Sequence, residues 1–103
     1  MAVRTVSIFQ VADGKRDQFI KESEQAKSIS TRLGARFRLA EMVIAGPQTG
    51  QFVVTQEFDD LAAYSAFMQK RGGDREWQDF QKTAHGSGAS SVVISRSLVQ
   101  DVM

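Results

Sequence analysis

His85, Trp77 and Tyr64 are each the only residue of their type in the chain, and all three fall in the stretch from Gln51 to His85. His85 is the one side chain that titrates near neutral pH without help. That makes it a candidate general base, or an axial ligand at the mouth of a pocket. Its place at the end of a predicted helix, followed by Gly86, equally suits a surface histidine favoured by the helix dipole. Trp77 with Phe67 and Phe80 can line a flat aromatic pocket, although the same stripe is what a helix packed on a sheet shows. Tyr64 falls on the side of Phe67 and Met68 and brings a hydroxyl to it. Arg38 and Arg96 lie in predicted strands beside apolar neighbours. A guanidinium there either stabilises an anion or snorkels to the sheet edge. The catalytic candidates are therefore His85 and Arg38, and the pocket candidates are Trp77, Tyr64, Phe67 and Arg96.

Other chemistries are excluded by what the chain lacks. With no cysteine there is no disulfide, thiolate nucleophile or zinc-thiolate site. One histidine, with carboxylates at no ligand-like spacing, does not make a metal site. The Gly86-Ser87-Gly88 run follows a helix and precedes a strand, so it is not a phosphate cradle, which needs a helix N-terminus. Thirteen basic and twelve acidic residues leave a net charge of +1 with the signs interspersed. Nucleic acid would want a one-signed face, so it is not an expected partner. No apolar run approaches the roughly 20 residues that span a bilayer. The N-terminal MAVRTVSIF has no signal-like core, so a cytoplasmic protein without a membrane partner is expected.

The elements that must position these residues follow from periodicity and punctuation. One domain is expected from 103 residues, 42% of them hydrophobic. Val3 to Val11 is β-branched and aromatic and predicts a strand. Asp13 is placed to cap a helix from Gly14 to Leu33, with Phe19, Ser23, Ala26, Ser30 and Leu33 on one narrow face and Gly34 as its left-handed stop. Arg36 to Ala45 predicts a second strand and Gln51 to Phe58 a third, joined as a hairpin through Gly46 to Gly50. Asp59 is the expected cap of the next helix. Gly72-Gly73 breaks that helix at about 2 kcal/mol of propensity relative to alanine. Asp74 restarts it, and Ser91 to Val99 is the last strand.

The order β-α-β-β-α-β predicts a ferredoxin-like α+β fold, a four-stranded antiparallel sheet with its helices on one face. Every strand carries apolar residues at both parities: Val6/Ile8 with Phe9/Val11, Phe37/Leu39 with Met42/Ile44, Phe52/Val54 with Val53, and Val92/Ile94 with Val93/Val99. The uncovered sheet face would then exceed the few hundred Å² of apolar surface that a monomer tolerates. A homodimer that packs two such faces together is the expected solution.

The strand order, the hairpin, the broken second helix with Trp77 and Phe80, and the EFDDLAAYSAFM entry into it resemble the dimeric α+β barrel superfamily. That group includes the antibiotic-biosynthesis monooxygenases and the NIPSNAP and stress-responsive barrel families. The resemblance covers essentially the whole chain and implies a homodimer with a pocket between sheet and helices. Haem-degrading members combine a Trp and a His near the end of the second helix with an asparagine on the first strand. This chain contains no asparagine, its Trp77-to-His85 spacing differs, and Ser7 or Gln10 stands where the asparagine would be. No cofactor is therefore expected. Two other families on this fold also fail. An RNA-recognition module needs aromatics where Gln51 and Gln56 stand, and an acylphosphatase needs a catalytic asparagine. The resemblance leaves two functions open: cofactor-independent monooxygenase or isomerase chemistry on a small apolar or aromatic molecule, or a non-catalytic binding or interaction module.

Overall fold

The structure, a computed structural model, describes residues 1–85 and 88–103. Its elements are β1 (Val3–Val11), α1 (Arg16–Arg32), β2 (Arg36–Glu41), β3 (Phe52–Phe58), α2 (Leu61–Gly72), α3 (Arg75–Ala84) and β4 (Ser91–Gln100). The four strands form one antiparallel sheet in the order β2-β3-β1-β4. This is the ferredoxin-like arrangement that the element order predicts. The molecule measures 38 × 35 × 17 Å, one sheet and one helical layer thick. Among the described residues no helix is long and apolar enough to cross a membrane.

Register fixes which residues meet the helices. Val3, Thr5, Ser7 and Phe9 pair with Phe58, Gln56, Val54 and Phe52, and alternation sends these side chains to one face. Phe19 of α1 sits on that face, its ring 5.6 Å from Phe9 and 5.1 Å from Phe52. The core proper lies under α2, where Val3, Ala35, Phe58 and Phe67 are buried together. Phe58 lies 4.9 Å from Phe67 and 5.4 Å from Tyr64 between ring centroids.

The helix ends show which side chains do the capping. α1 stops in a Schellman arrangement: Gly34 at φ +111 donates to Thr31, and the Ala35 N–H to Ser30, both through the backbone. At its start Asp13 is two residues too early, and Lys15 holds the cap position without a side-chain bond. The cap of α2 is Asp60, not Asp59. Asp60 accepts from the Ala63 N–H at 2.8 Å. Asp59, one residue earlier, instead takes a guanidinium hydrogen bond from Arg36 at 3.1 Å. Asp74 caps α3, accepting from the Trp77 N–H at 2.9 Å.

The second strand is shorter than its sequence suggests. β2 ends at Glu41, and a single backbone exchange at Met42 with Gly50 and Gln51 closes the hairpin. Gly46–Gln48 form a 3₁₀ turn within the loop, and Ile44 at its base is 94% exposed. Met42 and Ile44 therefore do not make the outer face of β2 apolar. That face carries Arg36, Arg38 and Ala40, which pair with Glu57, Thr55 and Val53. The uncovered side of the sheet divides in two. Val6, Ile8, Val53, Val92 and Val99 form its apolar part. At its margin Arg4 and Arg36 share Glu57 at 3.3 and 3.1 Å, and Arg4 also reaches Asp101 at 3.1 Å.

A bulge interrupts the pairing of β1 with β4. Phe9 pairs with Val93 and Ile8 with Ser95, so Ile94 is an extra residue. Val93 and Ser91 face the helices before it, and Arg96 and Leu98 face them after it.

Candidate functional site

Between the sheet and the helical layer lies a partly open cavity of about 340 Å³. Its floor is the inner face of β1 and β3, with Thr5, Ser7, Phe9, Val54 and Gln56. Its walls are Phe19 and Ser23 of α1, Tyr64, Phe67 and Arg71 of α2, and Trp77, Phe80 and Gln81 of α3. His85 and Arg96 also line it. The cavity exists because α2 ends at Gly72 and α3 restarts at Asp74. A continuous helix would carry Trp77 along the α2 axis, whereas the break lets α3 take its own direction, with Trp77 in the cavity wall.

Trp77 is held from two sides. Its backbone N–H is tied to Asp74, which also accepts from Arg32 of α1 at 2.9 Å. These two hydrogen bonds hold the Asp74 carboxyl below its ordinary value of 3.8, the Arg32 bond contributing more. The indole face is covered by Arg71, whose guanidinium carbon lies 4.7 Å from the Trp77 ring centroid and 5.3 Å from that of Phe67. Phe80 packs behind it at 5.4 Å.

Five of the six candidates named from sequence line this one cavity: His85, Trp77, Tyr64, Phe67 and Arg96. Phe67 is buried, Trp77 and Tyr64 are half-buried, and His85 and Arg96 are exposed at the rim. His85 closes α3, its N–H bonded to the Gln81 carbonyl at 3.1 Å. Arg38 stands apart, since it pairs with Thr55 and faces the uncovered side of the sheet. Of the two first-strand positions considered for an asparagine, Ser7 lines the cavity. Gln10 pairs with Val92 and accepts from Gln51 Nε2 at 3.1 Å. The GSG link lies partly outside the described residues, which omit Gly86 and Ser87.

Sequence reasoning missed Arg71 and Gln56. Burial, and then the charge of Arg96, push the Arg71 guanidinium below its ordinary range. Among the described residues its one side-chain hydrogen bond goes to the Met68 sulfur at 3.2 Å, a weak acceptor. The Gln56 Oε1 atom is buried and has no hydrogen-bond partner among the described residues. A clue to Arg71 was available: a basic residue just before a glycine break and six positions before a tryptophan can fold back onto the indole.

No family model matches the chain, and no curated protein matches it. Solved structures do. A NIPSNAP domain protein from Burkholderia xenovorans superposes with a TM-score of 0.72 at 20% identity, covering 96% of this chain and 90% of that one. SnoaB, a cofactor-independent oxygenase from Streptomyces nogalater solved as a mutant, gives 0.71 at 14% identity over 99% and 94%. A putative antibiotic biosynthesis monooxygenase from Chloroflexus aurantiacus gives 0.64 at 14% identity over 100% and 95%. The fold is the one these solved NIPSNAP-like and antibiotic-biosynthesis-monooxygenase-type structures share. The likeness extends over nearly the whole chain, shows the fold, and assigns no family.

Proposed function

We propose that this chain is a homodimeric protein that holds a small planar aromatic molecule and oxidises it with O₂, without a cofactor. The observation that carries the reading is the cavity itself. Its 340 Å³ falls within the range of small-molecule sites, and an aromatic wall stands opposite a floor with a few polar groups. In such chemistry the substrate supplies all the electrons. An activated CH₂ becomes a carbonyl, one oxygen atom of O₂ enters the substrate and the other leaves as water. The protein then has three tasks: to stack the substrate, to accept a proton and to stabilise the anion left behind. Phe9, Tyr64, Phe67 and Trp77 supply the aromatic lining against which the substrate would lie. A substrate hydroxyl can donate to Gln56 Oε1, which has an unused acceptor. His85 at the rim is the proton acceptor. The exposure of His85 also favours a second reading, a holder of the same fold that does no chemistry.

One experiment separates them. Native mass spectrometry of protein purified from cells, followed by incubation of the released ligand with fresh protein and O₂, should show a bound small molecule and its gain of oxygen. His85→Ala should keep the ligand and lower the rate by about 10²–10⁴-fold, the usual contribution of a positioned base. A ligand that is held but never altered establishes the non-catalytic reading. Protein that carries no ligand and binds no planar aromatic overturns both.

A further inference from the structure

Four arginines of the chain, Arg4, Arg16, Arg32 and Arg36, each reach a carboxylate at 2.9 to 3.3 Å. Among the described residues Arg38, Arg71, Arg75 and Arg96 reach none, and of these Arg71 and Arg96 line the cavity. The one carboxylate among the described residues of the cavity wall, Glu22, accepts a hydrogen bond from Ser90 Oγ of the same wall and pairs with neither arginine. Two guanidinium groups thus face one partly apolar space whose single carboxylate is not in contact with them. Arg71 is additionally half-buried, sandwiched near the rings of Phe67 and Trp77.

A guanidinium has five donors, and Arg71 spends one on a sulfur. Leaving such a group half-desolvated opposes folding unless something occupies its donors. Fold alone does not require it, because a lysine or glutamine at the exposed end of α2 would satisfy the helix equally well. Arg71 lies against the tryptophan, so its free N–H edge is adjacent to the aromatic lining within which a flat ligand would lie. Arg96 enters from the opposite wall, on β4.

We infer that the ligand of this cavity arrives already charged, as a planar aromatic or conjugated carboxylate whose two oxygens are taken by Arg71 and Arg96 while its ring lies within the aromatic lining beside the Arg71–Trp77 stack. The inference rests on the reading of the cavity as an aromatic-ligand site and adds the charge class to it. Paired charge-assisted N–H···O bonds are the geometry in which arginine outperforms lysine. An occupied site would also relieve the mutual repulsion of the two guanidinium groups.

The test compares two probes of one size, 2-naphthoate and its neutral amide, by calorimetric titration of the wild-type protein and of R71Q and R96Q. The wild type should bind the carboxylate at least about tenfold more tightly than the amide, since hydrogen bonds between charged partners are the stronger kind. Each substitution should remove most of that preference. R96Q alters an exposed residue, so it answers the question even if R71Q fails to fold, and R71K should retain part of the preference. Equal binding of the two probes by the wild type, or an unchanged preference in R96Q, overturns the inference and leaves the cavity reading standing. Binding of neither probe overturns the cavity reading, and the inference with it.

Discussion

Asp74 joins α1 and α3 at one carboxylate, and its titration should be visible in the stability of the fold. The group is held below its ordinary value of 3.8 by Arg32 and by the Trp77 N–H. The unfolded chain would titrate near that ordinary value, so the native state binds protons less readily. The stabilisation is then complete above about pH 4 and is lost as the pH falls through the native value. Urea titrations of the wild type and D74N should differ at pH 7, and the difference should be smaller at pH 2.5. Parallel curves at both values would show that the carboxylate contributes nothing. The same residue scale shows what was legible in the sequence. Trp77, Tyr64 and Phe67 could be nominated because rare or clustered aromatics on one helix side must go somewhere together. Arg71 was passed over because its only signal is its place before the glycine break, and its role depends on where α3 runs after Gly73. Arg38 was nominated from its strand neighbours, but strand parity sends it to the other face.

At the scale of elements, periodicity located every strand and helix, and the errors sit at the ends. Asp59 and Asp60 are adjacent and chemically identical, and only the register of the first helical turn decides between them. Asp60→Ala should cost about 1 kcal/mol, the usual value of a lost N-cap. For a domain of this size that lowers Tm by about 4–8 °C. Asp59→Ala breaks only an exposed ion pair with Arg36 and should shift Tm far less. Equal losses in thermal melts of the two variants would refute the assignment. The second strand was read too long because Met42, Val43 and Ile44 are good strand residues. Gly46 and Gly50, both at positive φ, close the hairpin before they can pair.

At the scale of the whole molecule, the sheet is bare on one side and the slab is 17 Å thick. The apolar part of that bare side runs over β3, β1 and β4, while β2 presents Arg36 and Arg38. A two-fold partner that covers it should therefore centre on β1 and leave the charged margin near solvent. Light scattering at micromolar concentration should return twice the 11.4 kDa chain mass. Ile8→Asp, at the middle of the apolar part, should return the single-chain mass with an unchanged far-UV spectrum. A wild-type monomer would refute the dimer, and a dimeric Ile8→Asp would place the contact elsewhere.

The bulge at Ile94 acts on β4 as a one-letter insertion acts on a reading frame. Upstream of it odd-numbered residues look toward the helices, and downstream even-numbered ones do. Arg96 owes its place at the cavity to that slip, because in an unbroken strand it would share a face with Val92. Any comparison of this chain with a relative that aligns the last strand without a gap there will assign inner residues to the outer face. Whether a relative has the second cavity arginine must therefore be judged by its register against β1, not by its position in an ungapped alignment.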